Sequence, residues 1–502
     1  MSFQRENKIM AKGIFSKKIG GYVVLVMTLL CAIFTLDSCK KPIDEGGKLS
    51  FSKSSIEFDT VFTSVGSTYR TLKVYNPHNY LVKTDVLLAG GQHSFFSINV
   101  DGLAGTSFRD VEIPPKDSIF IFVKVNIDPK NENNPFLIED SLIFKTKENT
   151  QKVNLLAYGQ DAVFIVGDAD LNPPVGIKYK IVAGEGEVKR WTKDRPYVIY
   201  GWAVVDEGGK LIIEEGTRVY LHNNARLWVY AGGNIEVNGT KEEPVTFQGD
   251  TELNSFDLNF AKWDRIWICE GNRENIINYA VISNAFVGIH IEPLDQGIIA
   301  ANKTTITNTI VKNTQNAAII GKRANVSLEN CALANNGGGS AMFAIGNFSM
   351  KHTTLSNHYA NYPNRTIPAL FVSNIIKENN MQIAGETNFY GANSIVYGAL
   401  KNEFAVEKID EVGMTWKVEN CLLKLEKVGD NASKYVNSII SQDTLPQFRN
   451  LGIKDAKKLD LRLESHSRAI GIGLPGVSTL NSDLDGNAWA NPPAAGAYEY
   501  VP

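Results

Sequence analysis

The sequence is poor in several things, and each shortage excludes something. Five cysteines in 502 residues are too few for a disulfide-built scaffold. Charged residues make up only 21% against 43% hydrophobic, and proline only 18 positions. That balance excludes a disordered chain and a coiled coil and suffices for a large core. A basic excess is missing: 51 Lys and Arg stand against 54 Asp and Glu, a net charge of −3, so nothing marks a nucleic-acid partner. Long apolar runs are missing beyond one short stretch near the N-terminus, which excludes a polytopic membrane protein. There is no His-Glu-x-x-His, Cys-x-x-Cys, Gly-x-Ser-x-Gly or phosphate loop, and no Asp-Asp dipeptide. No catalytic residue, metal ligand or cofactor is therefore assigned.

What is present begins with a targeting segment. Arg5, Lys8, Lys12, Lys17 and Lys18 precede the apolar run from Tyr22 to Leu36, and Asp37-Ser38-Cys39 follows. Such a run rises about 22 Å as a helix, short of a ~30 Å hydrocarbon core, so a spanning anchor is the weaker reading. Leu36-Asp37-Ser38-Cys39 resembles the lipobox of Bacteroidota lipoproteins. The resemblance implies removal of residues 1–38 and lipidation of Cys39; ordinary signal cleavage is the alternative. Residues 39–47 read as a polar, Gly-bearing tether. In it Asp44 and Glu45 partly match the acidic surface-export signal of such lipoproteins, although Lys40 and Lys41 dilute it. The implied location is the outer membrane, lipid-anchored, on the cell surface rather than the periplasmic face. The mature chain would carry a net charge of −6.

Residues 48–162 alternate in short β-rich runs. Ile119, Ile121, Val123 and Val125 are spaced by two, with Phe120, Phe122 and Lys124 on the other face. Asn76-Pro77-His78-Asn79, Ala89-Gly90-Gly91 and Pro114-Pro115-Lys116-Asp117 are turns between runs. Seven or so strands predict an Ig-like β-sandwich. Phe58-Asp-Thr-Val61, Leu72-Lys-Val-Tyr-Asn76, Val111-Glu-Ile-Pro-Pro115 and Val153-Asn-Leu-Leu-Ala-Tyr-Gly-Gln160 resemble Ig-like domains of bacterial envelope proteins related to major-sperm-protein-type sandwiches.

Residues 163–174 read as a linker, and residues 175–502 carry an internal repeat. Asn308-Thr-Ile-Val-Lys-Asn313, Asn330-Cys-Ala-Leu-Ala-Asn335 and His352-Thr-Thr-Leu-Ser-Asn357 recur every 22 residues. Tyr279-Ala-Val-Ile-Ser-Asn284 fits before them, and the runs starting at Asn393 and Asn420 fit after. A parallel β-helix would stack Ile282, Val311, Leu333, Leu355, Val396 and Leu423 as an inner apolar ladder. Ala280, Thr309, Cys331, Thr353, Ser394 and Cys421 would form a small-residue ladder beside it. Asn at the corners tolerates left-handed φ. The strand-turn-strand units between Tyr197 and Phe247 closely resemble the opening coils of right-handed parallel β-helix proteins of the pectate-lyase-like superfamily. Trp263-Asp-Arg-Ile-Trp-Ile268 fits the next coil, and Asp483-Leu-Asp-Gly-Asn487 resembles the superfamily's terminal cap. The expected fold is all-β: an N-terminal Ig-like β-sandwich followed by a right-handed parallel β-helix solenoid.

That superfamily contains polysaccharide lyases and hydrolases, but their motifs are not found. The polygalacturonase-type Asn-Thr-Asp, Asp-Asp, Gly-His-Gly and Arg-Ile-Lys are absent, and no acidic calcium cluster stands out. Gly471-Ile-Gly-Leu-Pro-Gly476 fits no strand-to-helix crossover, and Asp483-Leu-Asp485-Gly486 lacks the later ligands of a calcium loop. Cys269, Cys331 and Cys421 read as small core residues. Five of the seven tryptophans lie between Trp191 and Trp267. Alternation about inward Ile266 and Ile268 predicts that Trp263, Arg265 and Trp267 face outward as a binding strip. Four tripeptides, at Asp59, Asp117, Asp140 and Asp443, resemble the O-glycosylation motif of Bacteroidota envelope proteins.

The expected function is non-catalytic binding or scaffolding at the outer membrane, with an outer-membrane β-barrel complex or an envelope glycan as partner. The alternatives are a polysaccharide lyase or glycoside hydrolase, and a glycan-binding protein without catalysis.

Overall fold

The computed structural model describes residues 47–502, except 63–68, 126–135, 161, 171–175, 251–260, 270–272, 296, 298–302, 359–364, 379–380, 444–445 and 454–457. Residues 1–46, and with them Cys39, lie outside the described residues. The chain divides into two compact units, with the boundary between Gln160 and Asp161. Both are all-β. No helix among the described residues is long and apolar enough to cross a membrane.

The first unit is a sandwich of two five-stranded sheets. One runs Ser50–Phe51, Arg70–Tyr75, Ser118–Val125, Phe96–Val100, Leu103–Gly105, antiparallel throughout. The other runs Ser55–Phe62, Thr150–Gln160, Phe136–Lys145, Val82–Leu88, Ser107–Ile113, with its first pair parallel. Period-two alternation sends Ile119, Ile121, Val123 and Val125 into the core, while Phe120 and Phe122 stay 46% and 39% exposed. Each such inward side chain contributes roughly 1.5–3 kcal/mol. Asn76 sits under two of the expected turns. Its Nδ2 donates to Tyr80 O, Ile113 O and Pro114 O at 2.8, 2.9 and 3.1 Å, and its Oδ1 accepts from His78 N at 2.9 Å. One buried amide thus ties the loop after residue 75 to the loop after residue 113.

The second unit is a parallel solenoid. An eleven-strand sheet and an eighteen-strand sheet pair strands in parallel with their counterparts one coil away, except that Ala169–Asp170 caps the larger sheet antiparallel to Lys178–Ala183. Long strands such as Ile319–Glu329 and Ala341–Lys351 serve two columns of the larger sheet at once. The expected apolar ladder is found in register: Ile282 opposes Val311, then Leu333, Leu355, Val396 and Leu423. All six are buried. The strand Val163–Val166 runs parallel to Tyr197–Tyr200 in the same sheet. The residues assigned to a linker therefore include the sheet's first rung.

The small-residue ladder is also buried, and its chemistry explains its composition. Thr309 Oγ1 donates to Thr307 O at 2.8 Å, Thr353 Oγ1 to Lys351 O at 2.9 Å, and Ser394 Oγ to Ala392 O at 2.8 Å. Cys331 Sγ and Cys421 Sγ make the same contact to Glu329 O and Glu419 O at 3.3 and 3.2 Å. Each bond spans a corner residue in the left-handed region: Asn308, Asn330, His352, Asn393 and Asn420 have φ between 42° and 55°. Short side chains with a donor close that corner without leaving its carbonyl unpaired. Burial pushes the Cys331 and Cys421 thiols up to about 12, so neither is a nucleophile at neutral pH.

The C-terminal segment runs back along the flank of the coils. Asn330 Nδ2 donates to Ser482 O at 2.6 Å, Asn393 Nδ2 to Leu474 O at 2.9 Å, and Asn420 Nδ2 to Ile472 O at 2.7 Å. The Glu329 carboxylate accepts from Ser478 Oγ, Thr479 N and Thr479 Oγ1. Corner asparagines thus have a second use as hooks for this strap. Asp483, fully buried, accepts from the backbone N of Asp485, Asn487 and Glu499, which gives the Asp483–Asn487 turn its shape.

Candidate binding ledge on the solenoid

Trp263, Arg265 and Trp267 do not form one exposed strip. Trp263 is 1% exposed, part of the solenoid core, and its Nε1 donates to Ser283 O at 2.9 Å. The physical reason is that the strand is only Ile266–Ile268. Trp263 belongs to an isolated bridge with Ala285, and Asp264 N donates to Ala225 O across the corner. Alternation holds within a strand and does not carry through a corner. Arg265 and Trp267 do face outward, half-buried.

Around them the register assembles a larger aromatic cluster, in which Trp228 and His290 are buried. Trp228 opposes Trp267, and Trp267 opposes His290 on successive coils. The rings stack at centroid distances of 5.4 and 5.7 Å, and Trp202 meets Trp228 edge-on at 5.4 Å. The Arg226 guanidinium lies 4.0 Å from the Trp202 ring centroid and 5.0 Å from that of Trp267, a cation–π arrangement. Asp264 accepts from both Arg226 and Arg265, the latter at 2.9 Å.

A chain of polar contacts continues from there. Arg265 Nη1 lies 2.8 Å from His290 Nδ1, and His290 Nε2 lies 2.8 Å from Glu292 Oε2. Burial holds the His290 imidazole below its ordinary range, against the raising effect of Glu292. The neutral ring therefore accepts from Arg265 at Nδ1 and donates from Nε2 to Glu292. Glu292 also pairs with Arg323. Burial acts to raise the Glu292 carboxyl, but the His290 hydrogen bond and the charges of Lys322 and Arg323 prevail and lower it.

Beside the aromatic column opens a cleft of about 630 Å³, whose lining includes Lys178, Tyr200, Trp202, Asn223, Asn224, Arg226 and Asp264. Trp202 lines it with a ring, Arg226 with a guanidinium whose Nε and Nη2 are held by Asp264, and the two asparagines line it from the turn at residues 223–224. Tyr200 stacks on His222 at 4.5 Å, and His222 Nδ1 contacts Asp250 at 2.7 Å. Burial, reinforced by Asp250, pushes the Tyr200 hydroxyl up to about 12. Among the described lining residues Asp264 is the one carboxylate, and two arginines hold it.

Trp202, Arg226 and Asp264 do not stand out as site residues in the sequence. The available signal was the pairing of Trp202-Ala-Val-Val205 with Arg226-Leu-Trp-Val229, which places Arg226 directly against Trp202. Of the glycosylation-like tripeptides, Ser141 is buried and Ser118 half-buried; the side chains of Thr60 and Thr444 lie outside the described residues.

No protein-family model and no curated protein matches the chain. Among solved structures, PapD-like domain 7 of human CEP192 is similar at 11% identity over 25% of this chain and 91% of that one, with a TM-score of 0.16. The catalytic unit of the GH87 α-1,3-glucanase from Streptomyces thermodiastaticus is similar at 10% identity over 74% of this chain and 88% of that one, with a TM-score of 0.22. Likenesses this distant carry no argument about activity.

Proposed function

We propose that this chain is a lipid-anchored outer-membrane protein, exposed at the cell surface, whose solenoid binds a glycan at the Trp202–Arg226 cleft without cleaving it. The anchor reading rests on the lipobox-like Leu36-Asp37-Ser38-Cys39 and the likeness to Bacteroidota lipoproteins. The likeness to pectate-lyase-like β-helices belongs with the same reading. The binding reading rests on one observation: an aromatic ring, a planar guanidinium and two amides converge on a concave space of ligand size.

Two chemical arguments favour binding over cleavage. Hydrolysis of a glycosidic bond needs a protonated and an ionised carboxyl group on opposite sides of it. Here the described lining offers Asp264, committed to Arg226 and Arg265. A lyase of the pectate-lyase kind needs clustered acidic calcium ligands beside its base, and the described lining offers the single carboxylate Asp264. Screening of the mature protein against envelope and environmental glycans tests this reading. Binding lost at least tenfold in Trp202→Ala and Arg226→Met, with no product released, is expected. Product release, or binding indifferent to both changes, refutes it. A protein scaffold is the competing outcome, read as a barrel protein co-purifying from detergent while no glycan binds.

A further inference from the structure

A different surface points to how the protein sits on its membrane. In the first sheet of the sandwich the outward positions of Arg70–Tyr75 and Ser118–Val125 carry aromatic rings and amines. Tyr75, Phe120 and Phe122 are 37%, 46% and 39% exposed, and Tyr69, just before the strand, is 64% exposed. Register sets Lys73 opposite Phe120 and Thr71 opposite Phe122. Lys73 Nζ lies 5.1 Å from the Tyr75 ring centroid and 5.4 Å from that of Phe120, and Lys124 Nζ 6.0 Å from that of Tyr69. The next strand, Phe96–Val100, adds Ser97 and Asn99 on the same side. No carboxylate stands at an outward position of these three strands. In a mature chain of net negative charge, three strands that turn two lysines and three aromatic rings outward and no acid are a local exception; Tyr69 and Asp101 stand just beyond their ends.

We infer that this face lies against the headgroup layer of the bilayer that holds the lipid anchor. Tyrosine and phenylalanine rings suit the polar–apolar boundary, and lysines on long stems reach lipid phosphates beside them. Chain length supplies the second argument. Ser50–Phe51 is the edge strand of this same sheet. At 3.3–3.6 Å per residue, the chain from Cys39 to Ser50 spans at most ~40 Å. A lipid on Cys39 therefore keeps this sheet near the membrane, where even weak contacts act at high effective concentration. The inference rests on the anchor reading of Cys39.

The test uses the lipoprotein purified from its own envelope and reconstituted into phosphatidylethanolamine–phosphatidylglycerol vesicles with brominated acyl chains. The internal cysteines Cys269, Cys331 and Cys421 are buried, so a single added cysteine takes the label. One variant, Ser97→Cys, places a fluorophore on the aromatic face; another, Lys152→Cys, places it at an exposed position of the opposite sheet. Quenching at position 97 at least threefold stronger than at 152, abolished by Phe120→Ser/Phe122→Ser, is expected. Equal quenching at the two positions overturns docking while leaving the anchor intact. An intact-mass measurement without acyl chains on Cys39 overturns the anchor, and the docking face with it. Shielding of position 97 in native membranes but not in vesicles assigns the face to a protein and also overturns the inference.

Discussion

Acid should loosen the strap on the solenoid, and His352 is the group through which it acts. The ring is 1% exposed and occupies a corner where neighbouring coils have asparagine. Asn393 Nδ2 donates to its Nε2 at 2.9 Å, and the Trp489 ring of the strap lies 3.9 Å away, centroid to centroid. Burial lowers its pKa from the ordinary 6.5 to about 4; Glu329 and the Gly496 backbone oppose this, and Lys351 adds to it. Because the folded pKa lies below the unfolded one, the unfolded chain binds more protons between about pH 4 and pH 6.5. Stability is complete above that window and falls as pH drops through it. At 1.36 kcal/mol per unit, the loss is ~3 kcal/mol by pH 4. His358, also lowered to about 4 by burial with Lys424 and Arg365, contributes in the same direction. His352→Asn separates the two, since asparagine suits the corner conformation and its Oδ1 can accept from Asn393. Urea unfolding at pH 7.5 and pH 4.5, with hydrogen exchange at Ala497 as the local probe, should show a smaller acid loss for the variant by ~2–3 kcal/mol. Identical acid losses in both proteins would refute the reasoning.

Other expectations follow from buried groups. Glu403 is fully buried and accepts from Arg365, Ala369 N and Leu400 N. Glu403→Gln should cost about 3–5 kcal/mol in urea unfolding, because it leaves the Arg365 charge uncompensated. The Arg365→Met/Glu403→Gln double variant should lose clearly less than the sum of the singles. Ser394→Ala removes both the donor to Ala392 O and the acceptor for Thr353 N; a loss of about 2 kcal/mol is expected by the same method. Trp263→Ala should destabilise by about 3–5 kcal/mol yet leave glycan affinity of the folded fraction unchanged.

The inner ladders were legible because a 22-residue interval repeats: each apolar-ladder position lies within a strand, and each small residue from Thr309 onward lies immediately before one. Leu333 and Leu355 could be stacked on paper because nothing but strand and corner separates them. The hydroxyls of Thr309, Thr353 and Ser394 were legible as small residues, but not as corner bonds, since their acceptor carbonyls depend on the left-handed turn of the preceding residue. Trp263 misled for the converse reason: period two was extended through a corner at Asp264 that the local residues do not announce.

The sequence by itself determined the β class, the stacked core and its asparagine corners, because these depend on short-range periodicity and on backbone conformations few residues tolerate. The tertiary structure decided which residues share the outer surface. Trp202, Arg226 and Asp264 are far apart along the chain and meet only through the register of successive coils. The strap over Asn330, Asn393 and Asn420 was likewise beyond local reading. Whether a corner side chain faces solvent or grips a distant carbonyl is set by the chain that returns to cover it.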